Sequence, residues 1–179
     1  MKQYTLFSIF IVVFLSCENS KNRIVDFIEL ENLAVEEVKN SQILYTEYGH
    51  LRVKVISRNM RRFLQEEDIV NLSGGVVVKF YKSDTINAQS ILTCERAIIN
   101  NTTNLMIANE NVILSGSNNK RLSSEQLIWD KSKDIIYTDF EVIIRTEDEV
   151  IFGSGFESTS DFSEYEIKRA RGSFGLEKD

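Results

Sequence analysis

Apolar and polar residues alternate with a period of two over most of this chain, which confines it to strands that bury one face. Leu51, Val53 and Val55 alternate with Arg52, Lys54 and Ile56, and Val76, Val78 and Phe80 alternate with Val77, Lys79 and Tyr81. Further rows are Leu105/Ile107, Val112/Leu114, Leu127/Trp129, Val142/Ile144 and Tyr165/Ile167. Loop signals separate them at Gly74-Gly75, Asn100-Asn101, Gly116 to Asn119, Lys131 to Asp134 and Glu147 to Glu149. Ala34 to Lys39 is ambiguous, because Glu36-Glu37 suits a helix while the following Ile43 to Thr46 is β-rich; a strand from about Val38 is the preferred reading. No amphipathic helix of ordinary length survives beyond it, and the absence of proline is compatible with long, continuous strands. The expected class is all-β, and 179 residues suit one domain with a real core.

The rows also repeat. Gly75-Val76-Val77-Val78, Asn111-Val112-Ile113-Leu114, Glu141-Val142-Ile143-Ile144 and Gly172-Ser173-Phe174 are similar segments, and Val77, Val112, Val142 and Ser173 are spaced by 35, 30 and 31 residues. Each unit reads as a strand pair and its return, too small to bury an apolar face alone, so the units stack. A stack leaves an edge at each end that must be covered, blunted or paired.

The first residues follow different rules. Lys2 precedes an apolar run from Leu6 to Leu15 broken only by Ser8. At about 1.5 Å per residue it reaches about half of a roughly 30 Å hydrocarbon core. That length suits the apolar region of a secretory signal. The run ends in Phe14-Leu15-Ser16-Cys17, which resembles the lipobox of bacterial lipoproteins. The resemblance implies a cleaved leader at 1–16 and a diacylated Cys17 as the new N-terminus, since the chemistry needs a thiol preceded by a small residue. Two or three acyl chains, at about 0.8 kcal/mol per buried methylene, anchor stably where one is marginal. Residues 17–32 then form a polar tether, with a short helical turn allowed at Arg23 to Leu30, and 33–179 form the folded domain.

Several function classes fall away. A net charge of −6 opposes nucleic-acid binding, which needs a basic face. Cys17 and Cys94 form no CxxC or Cys/His cluster with metal spacing, and no glycine loop cradles phosphate. No metal or cofactor is expected. His50, the one histidine, falls in a turn without a recognisable acid–base partner. Glu125, Asp130, Asp134, Asp139 and Glu141 read as a solvated face. No catalytic residue is nominated, and the chain reads as a non-enzyme.

Tyr45-Thr46-Glu47-Tyr48-Gly49-His50-Leu51, Gly75 to Tyr81 and Asn104-Leu105 through Asn111-Val112 carry a resemblance that runs from about Ile43 to Phe174, and the family resembled is LptC. Its most specific pieces are Leu122 to Asp130 and Gly153-Ser154-Gly155-Phe156-Glu157-Ser158, followed by Tyr165-Glu166-Ile167. The resemblance implies a single twisted β-jellyroll of stacked antiparallel strands, open along one side. Its apolar interior would hold the acyl chains of lipopolysaccharide, against Val76, Val78, Phe80, Val112, Leu114, Leu127, Trp129, Val142, Ile144 and Phe156. It also implies partner edges, at Ile43 and Tyr45 on one side and at Tyr165, Ile167 and Phe174 on the other. The partners would be the inner-membrane ABC transporter subunits that supply the lipid and an LptA-like periplasmic bridge jellyroll that receives it. Many family members carry an uncleaved membrane helix where this chain has a lipobox; the corresponding expectation here is a periplasmic protein anchored by lipid to the inner membrane.

Taken alone, the alternating rows read first as a closed β core, and Trp129 and Phe156 as core packing. The resemblance turns them toward a lipid lining. Gly153 and Gly155 read as a bulge or a close backbone approach, Lys168, Arg169 and Arg171 as a solvated edge, and Cys94 as a small apolar residue. The alternative function is a membrane-anchored structural or glycan-binding β-module, which predicts a dry, closed interior.

Overall fold

A computed structural model describes residues 36–64, 68–82, 85–116 and 119–175. The expected leader at 1–16, Cys17 and the expected tether to residue 32 lie outside the described residues. The strands are β1 (Glu36–Glu47), β2 (His50–Leu64), β3 (Asp68–Phe80), β4 (Ser90–Asn100), β5 (Leu105–Ser115), β6 (Arg121–Asp130), β7 (Ile135–Arg145), β8 (Glu149–Thr159) and β9 (Tyr165–Gly175). They form one nine-stranded sheet in sequence order, with antiparallel pairing throughout. There is no helix among the described residues, in agreement with the expected class. The ambiguous Glu36-Glu37 opens β1, where both side chains are exposed and lie opposite Arg62 and Arg61.

The repetition has a structural cause. Gly74 and Gly75 face only Arg58 on β2 and Glu95 on β4, because Ser73 pairs with Asn59 and Arg96 while Val76 pairs with Ser57 and Cys94. The same two-against-one bulge recurs at Glu110-Asn111 opposite Glu125, and at Asp139-Phe140 opposite Gly155. β9 carries an extra residue at Arg171. A bulge bends its strand and increases the local twist; aligned on alternate strands, these bulges crease the sheet across its middle. Positive φ at Gly74, Gly75, Glu110 and Asn111 marks the crease. Gly74-Gly75 is therefore not the loop read from sequence but a bend inside continuous β3, since glycine supplies φ > 0 wherever the backbone needs it.

The bend brings opposite strand ends together. Eleven residues of strand at about 3.3 Å each separate the ends by roughly 36 Å in a flat sheet. Here Ser90, at the start of β4, donates from its hydroxyl to the carbonyl of Ser160, just past the end of β8. Arg52 Nη2 near the β1–β2 turn lies 3.8 Å from Asp134 Oδ2 in the β6–β7 turn. The sheet is thus folded in half, with its two rims of turns meeting along a seam opposite the crease. Between the halves lies one core containing Val55, Leu72, Leu92, Ile99, Ile136 and their neighbours. In β5 the inward row is Met106 and Ala108, with Leu105 and Ile107 only half-buried. This exchanges the faces expected for that strand, because four consecutive apolar residues fit either parity.

Candidate functional site

Every residue nominated as lining belongs to this one core. Val78, Val112, Leu114, Leu127, Ile144 and Phe156 are 0 % exposed, and Val76, Phe80, Trp129 and Val142 are buried beside them. They come from β3, β5, β6, β7 and β8, so each half of the folded sheet contributes to the interior. The rows pack against one another instead of leaving an open apolar trough, because apolar surface left in water is unfavourable and interiors pack to the density of organic crystals. An acyl chain enters this interior only if the halves part.

The seam differs along its length. Toward β9 it is shut by Phe162, which lies in the β8–β9 turn and is 1 % exposed. Its ring stands 5.8 Å from Phe156 in a T-shaped arrangement and 5.6 Å from Tyr165. Lys120 Nζ, in the β5–β6 turn of the opposite rim, sits 4.4 Å from the Phe162 ring and 4.9 Å from that of Tyr165. Gly116 makes room for this plug, since a methyl group there would lie 3.1 Å from Phe162 Cδ1. The turn is held by Asp161 Oδ1, which accepts from Thr159 Oγ1 and Ser163 Oγ at 2.7 Å and from the Ser163 amide at 3.0 Å. Burial raises the Asp161 carboxyl pKa, but the bonds from Ser163 and Thr159 outweigh it and leave the group below its ordinary value. Period-two reading misses Phe162 because it is in no strand. The available signal is an aromatic residue inside a run of turn formers, Thr159-Ser160-Asp161-Phe162-Ser163.

Toward β1 the seam is open as a cleft of about 560 Å³. Tyr45, Arg52, Tyr81, Asn101, Trp129 and Lys131 are among its walls. Trp129 meets Tyr45 and Phe80 edge-on at 6.0 and 5.2 Å, so the cleft stands directly against the core. Lys131 Nζ lies 5.1 Å over the Tyr45 ring and donates to Asn101 Oδ1 at 3.2 Å. Burial lowers its pKa, with the charge of Asp68 acting in the opposite direction.

Both ends of the sheet offer edges. β1 and β9 each pair with one neighbour only. Ile43, Tyr45, Tyr165 and Ile167 are half-buried and pack on the core, while Phe174 pairs through its backbone with Val150. Two residues of the basic cluster on β9 are engaged with carboxylates: Arg171 pairs with Glu141, and Lys168 Nζ lies 3.8 Å from Asp139. These side chains cross β8 where Gly153 and Gly155 present none. Both glycines are close approaches, as expected: a methyl on Gly153 would clash with Ile167 Cγ2, and one on Gly155 would meet the Lys168 stem at 3.1 Å. Cys94 is buried, and burial pushes its thiol pKa up to about 12.

No group of His, Cys, Asp and Glu able to hold a metal occurs among the described residues. A search of curated proteins finds no match. The family described as "Lipopolysaccharide-assembly, LptC-related" matches over residues 33–173, a span that contains every strand from β1 to β8 and most of β9. With a folded, sequential antiparallel sheet beneath that match, the chain belongs to the LptC-related family of lipopolysaccharide-assembly proteins.

Proposed function

We propose that this chain is a non-enzymatic conduit which takes lipopolysaccharide at the β1 edge and passes it on at the β9 edge. Membership of the family carries a role in lipopolysaccharide transport; the direction and the handover are our reading. In it the acyl chains occupy the interior lined by Val76, Val78, Phe80, Val112, Leu114, Leu127, Trp129, Val142, Ile144 and Phe156, while the sugars stay in water along the seam. A purely apolar lining is non-directional and tolerates chains of varied length. An inner-membrane ABC transporter supplies the lipid at Ile43 and Tyr45, and an LptA-like jellyroll adds to Tyr165, Ile167 and Phe174 by strand pairing. Diacylation of Cys17, with the tether to residue 32, holds the domain at the periplasmic face of the inner membrane.

The observation that carries the proposal is the folded sheet itself: an apolar interior packed between two halves whose rims meet through turns along the seam, with β1 and β9 each paired on one side only. The packed interior is also what a closed structural module would have, and one experiment separates the two. A photo-crosslinking residue is placed in turn at Val78, Leu114, Val142 and Phe156 in cells, with Lys79 and Glu157 as outward controls. Lipopolysaccharide adducts at the inward positions and none at the controls are expected. No adducts from any inward position of a folded protein would overturn the conduit in favour of the closed module.

A further inference from the structure

The wall of the cleft at the β1 end of the seam carries a buried donor that the fold leaves unused. Trp129 is 5 % exposed, and its indole N–H is buried without a hydrogen-bond acceptor among the described residues. Indole is a donor only, and a buried donor left unpaired costs free energy, so native interiors nearly always supply an acceptor. Other residues in this region do find partners. Arg52 pairs with Glu47 at 3.4 Å and with Asp134 at 3.8 Å. Lys131 has Asn101 and the Tyr45 ring but no ion pair among the described residues. The site therefore combines three things: an aromatic wall continuous with the apolar core through Phe80, a donor at the boundary, and a cation at the rim.

We propose that this cleft is an entry subsite for an amphiphile whose apolar tail is joined through an acceptor oxygen, an ester, amide or hydroxyacyl group, to an anionic head. The tail passes Trp129 toward Phe80 and Val53. The linking oxygen accepts from the indole N–H. The anionic head meets Lys131, where a charge-assisted contact is stronger than a neutral one. Burial of Lys131 fits the same arrangement, because desolvation disfavours the ammonium until an anion stands beside it. A pure hydrocarbon satisfies neither polar group. The inference rests on the conduit reading and adds to it where the lipid first engages and which chemical feature is recognised there.

Trp129 is the one tryptophan of the chain, so its indole N–H gives a single resonance. The full chain, labelled with nitrogen-15 and held in phosphatidylcholine nanodiscs, is titrated with lipopolysaccharide while that resonance is followed. In parallel, a photo-crosslinker at Leu114 reports interior occupancy in the unaltered chain, in Trp129→Phe and in Lys131→Gln. The expected result is a downfield shift of the indole proton with slower solvent exchange. Trp129→Phe, which keeps an aromatic ring and loses the donor, requires about fivefold more lipid for half-maximal adduct, the effect of one hydrogen bond. Lys131→Gln weakens occupancy in the same direction. Interior adducts with an unmoved indole resonance and full occupancy in Trp129→Phe would overturn this subsite and leave the conduit standing. Absence of interior adducts in the unaltered chain would overturn both.

Discussion

Replacing Gly153 by alanine should weaken the β8–β9 pair by a calculable amount. A methyl group at this position falls within 3.0 Å of Ile167 Cγ2, closer than real side chains approach, and 3.1 Å from the Arg169 carbonyl oxygen. The oxygen belongs to the paired backbone of β9 and gives little, so the isoleucine must leave its rotamer or the strand must lift. Overpacking of this kind costs about 1–3 kcal/mol, and for a domain of this size a loss of about 2 kcal/mol lowers Tm by roughly 4–8 °C. Ile167→Ala alone removes a half-buried side chain, at about 2 kcal/mol, the low end for such truncations. Because it also removes the obstructing methyl, the double variant should be more stable than the sum of the two losses predicts, by about 1 kcal/mol or more. Chemical denaturation of the four proteins measures the cycle, and hydrogen exchange should place the added opening in Val150 to Ser158 and Tyr165 to Gly175. A Gly153→Ala protein as stable as the original, or strict additivity, would refute the close approach as the reason for glycine.

Phe162 stands at φ +56°, a conformation that costs a residue with a side chain about 1–2 kcal/mol. Phe162→Ala should lose about 3–5 kcal/mol through the vacated plug. Phe162→Gly should lose somewhat less, reversing glycine's usual penalty, and equilibrium unfolding decides the order. The Cys94 thiol should resist alkylating reagents at pH 8 in the native protein and react fully once unfolded. With its folded pKa raised to about 12 from an ordinary value of 9.0, the thiol's contribution is complete below pH 9 and is lost as pH rises toward 12. Cys94→Ala should flatten the alkaline limb of the stability profile.

The sequence makes the strands legible because one face of each meets the core, so Val76, Val78, Val112, Leu114, Val142 and Ile144 identify themselves by parity alone. The repeat is legible as well, although its meaning is not: the segments beginning at Gly75, Asn111, Glu141 and Gly172 start at or just after the crease bulges of β3, β5, β7 and β9. A bulge leaves no mark in hydrophobic periodicity except a glycine or asparagine where φ turns positive, and Gly74-Gly75 read as a loop for that reason. Met106 and Ala108 were hidden by their apolar neighbours. The seam is a relation between turns distant in sequence, Ser90 with Ser160 and Gly116 with Phe162, which no local pattern encodes. The unused Trp129 N–H is likewise visible only once its surroundings are assembled.

The central claim is that a packed interior opens along the seam to admit acyl chains, and the distance across that seam tests it most directly. Spin labels at the exposed Asn87 and Ser163, on opposite rims, report the distance by pulsed electron resonance, with Asn87 and Asn119 as a pair on one rim. On addition of lipopolysaccharide to the full chain in nanodiscs, the account predicts a longer distance across the seam and an unchanged one along the rim. A seam distance that stays fixed while lipopolysaccharide binds would contradict it, and would place the lipid on the outer surface of a closed β-domain.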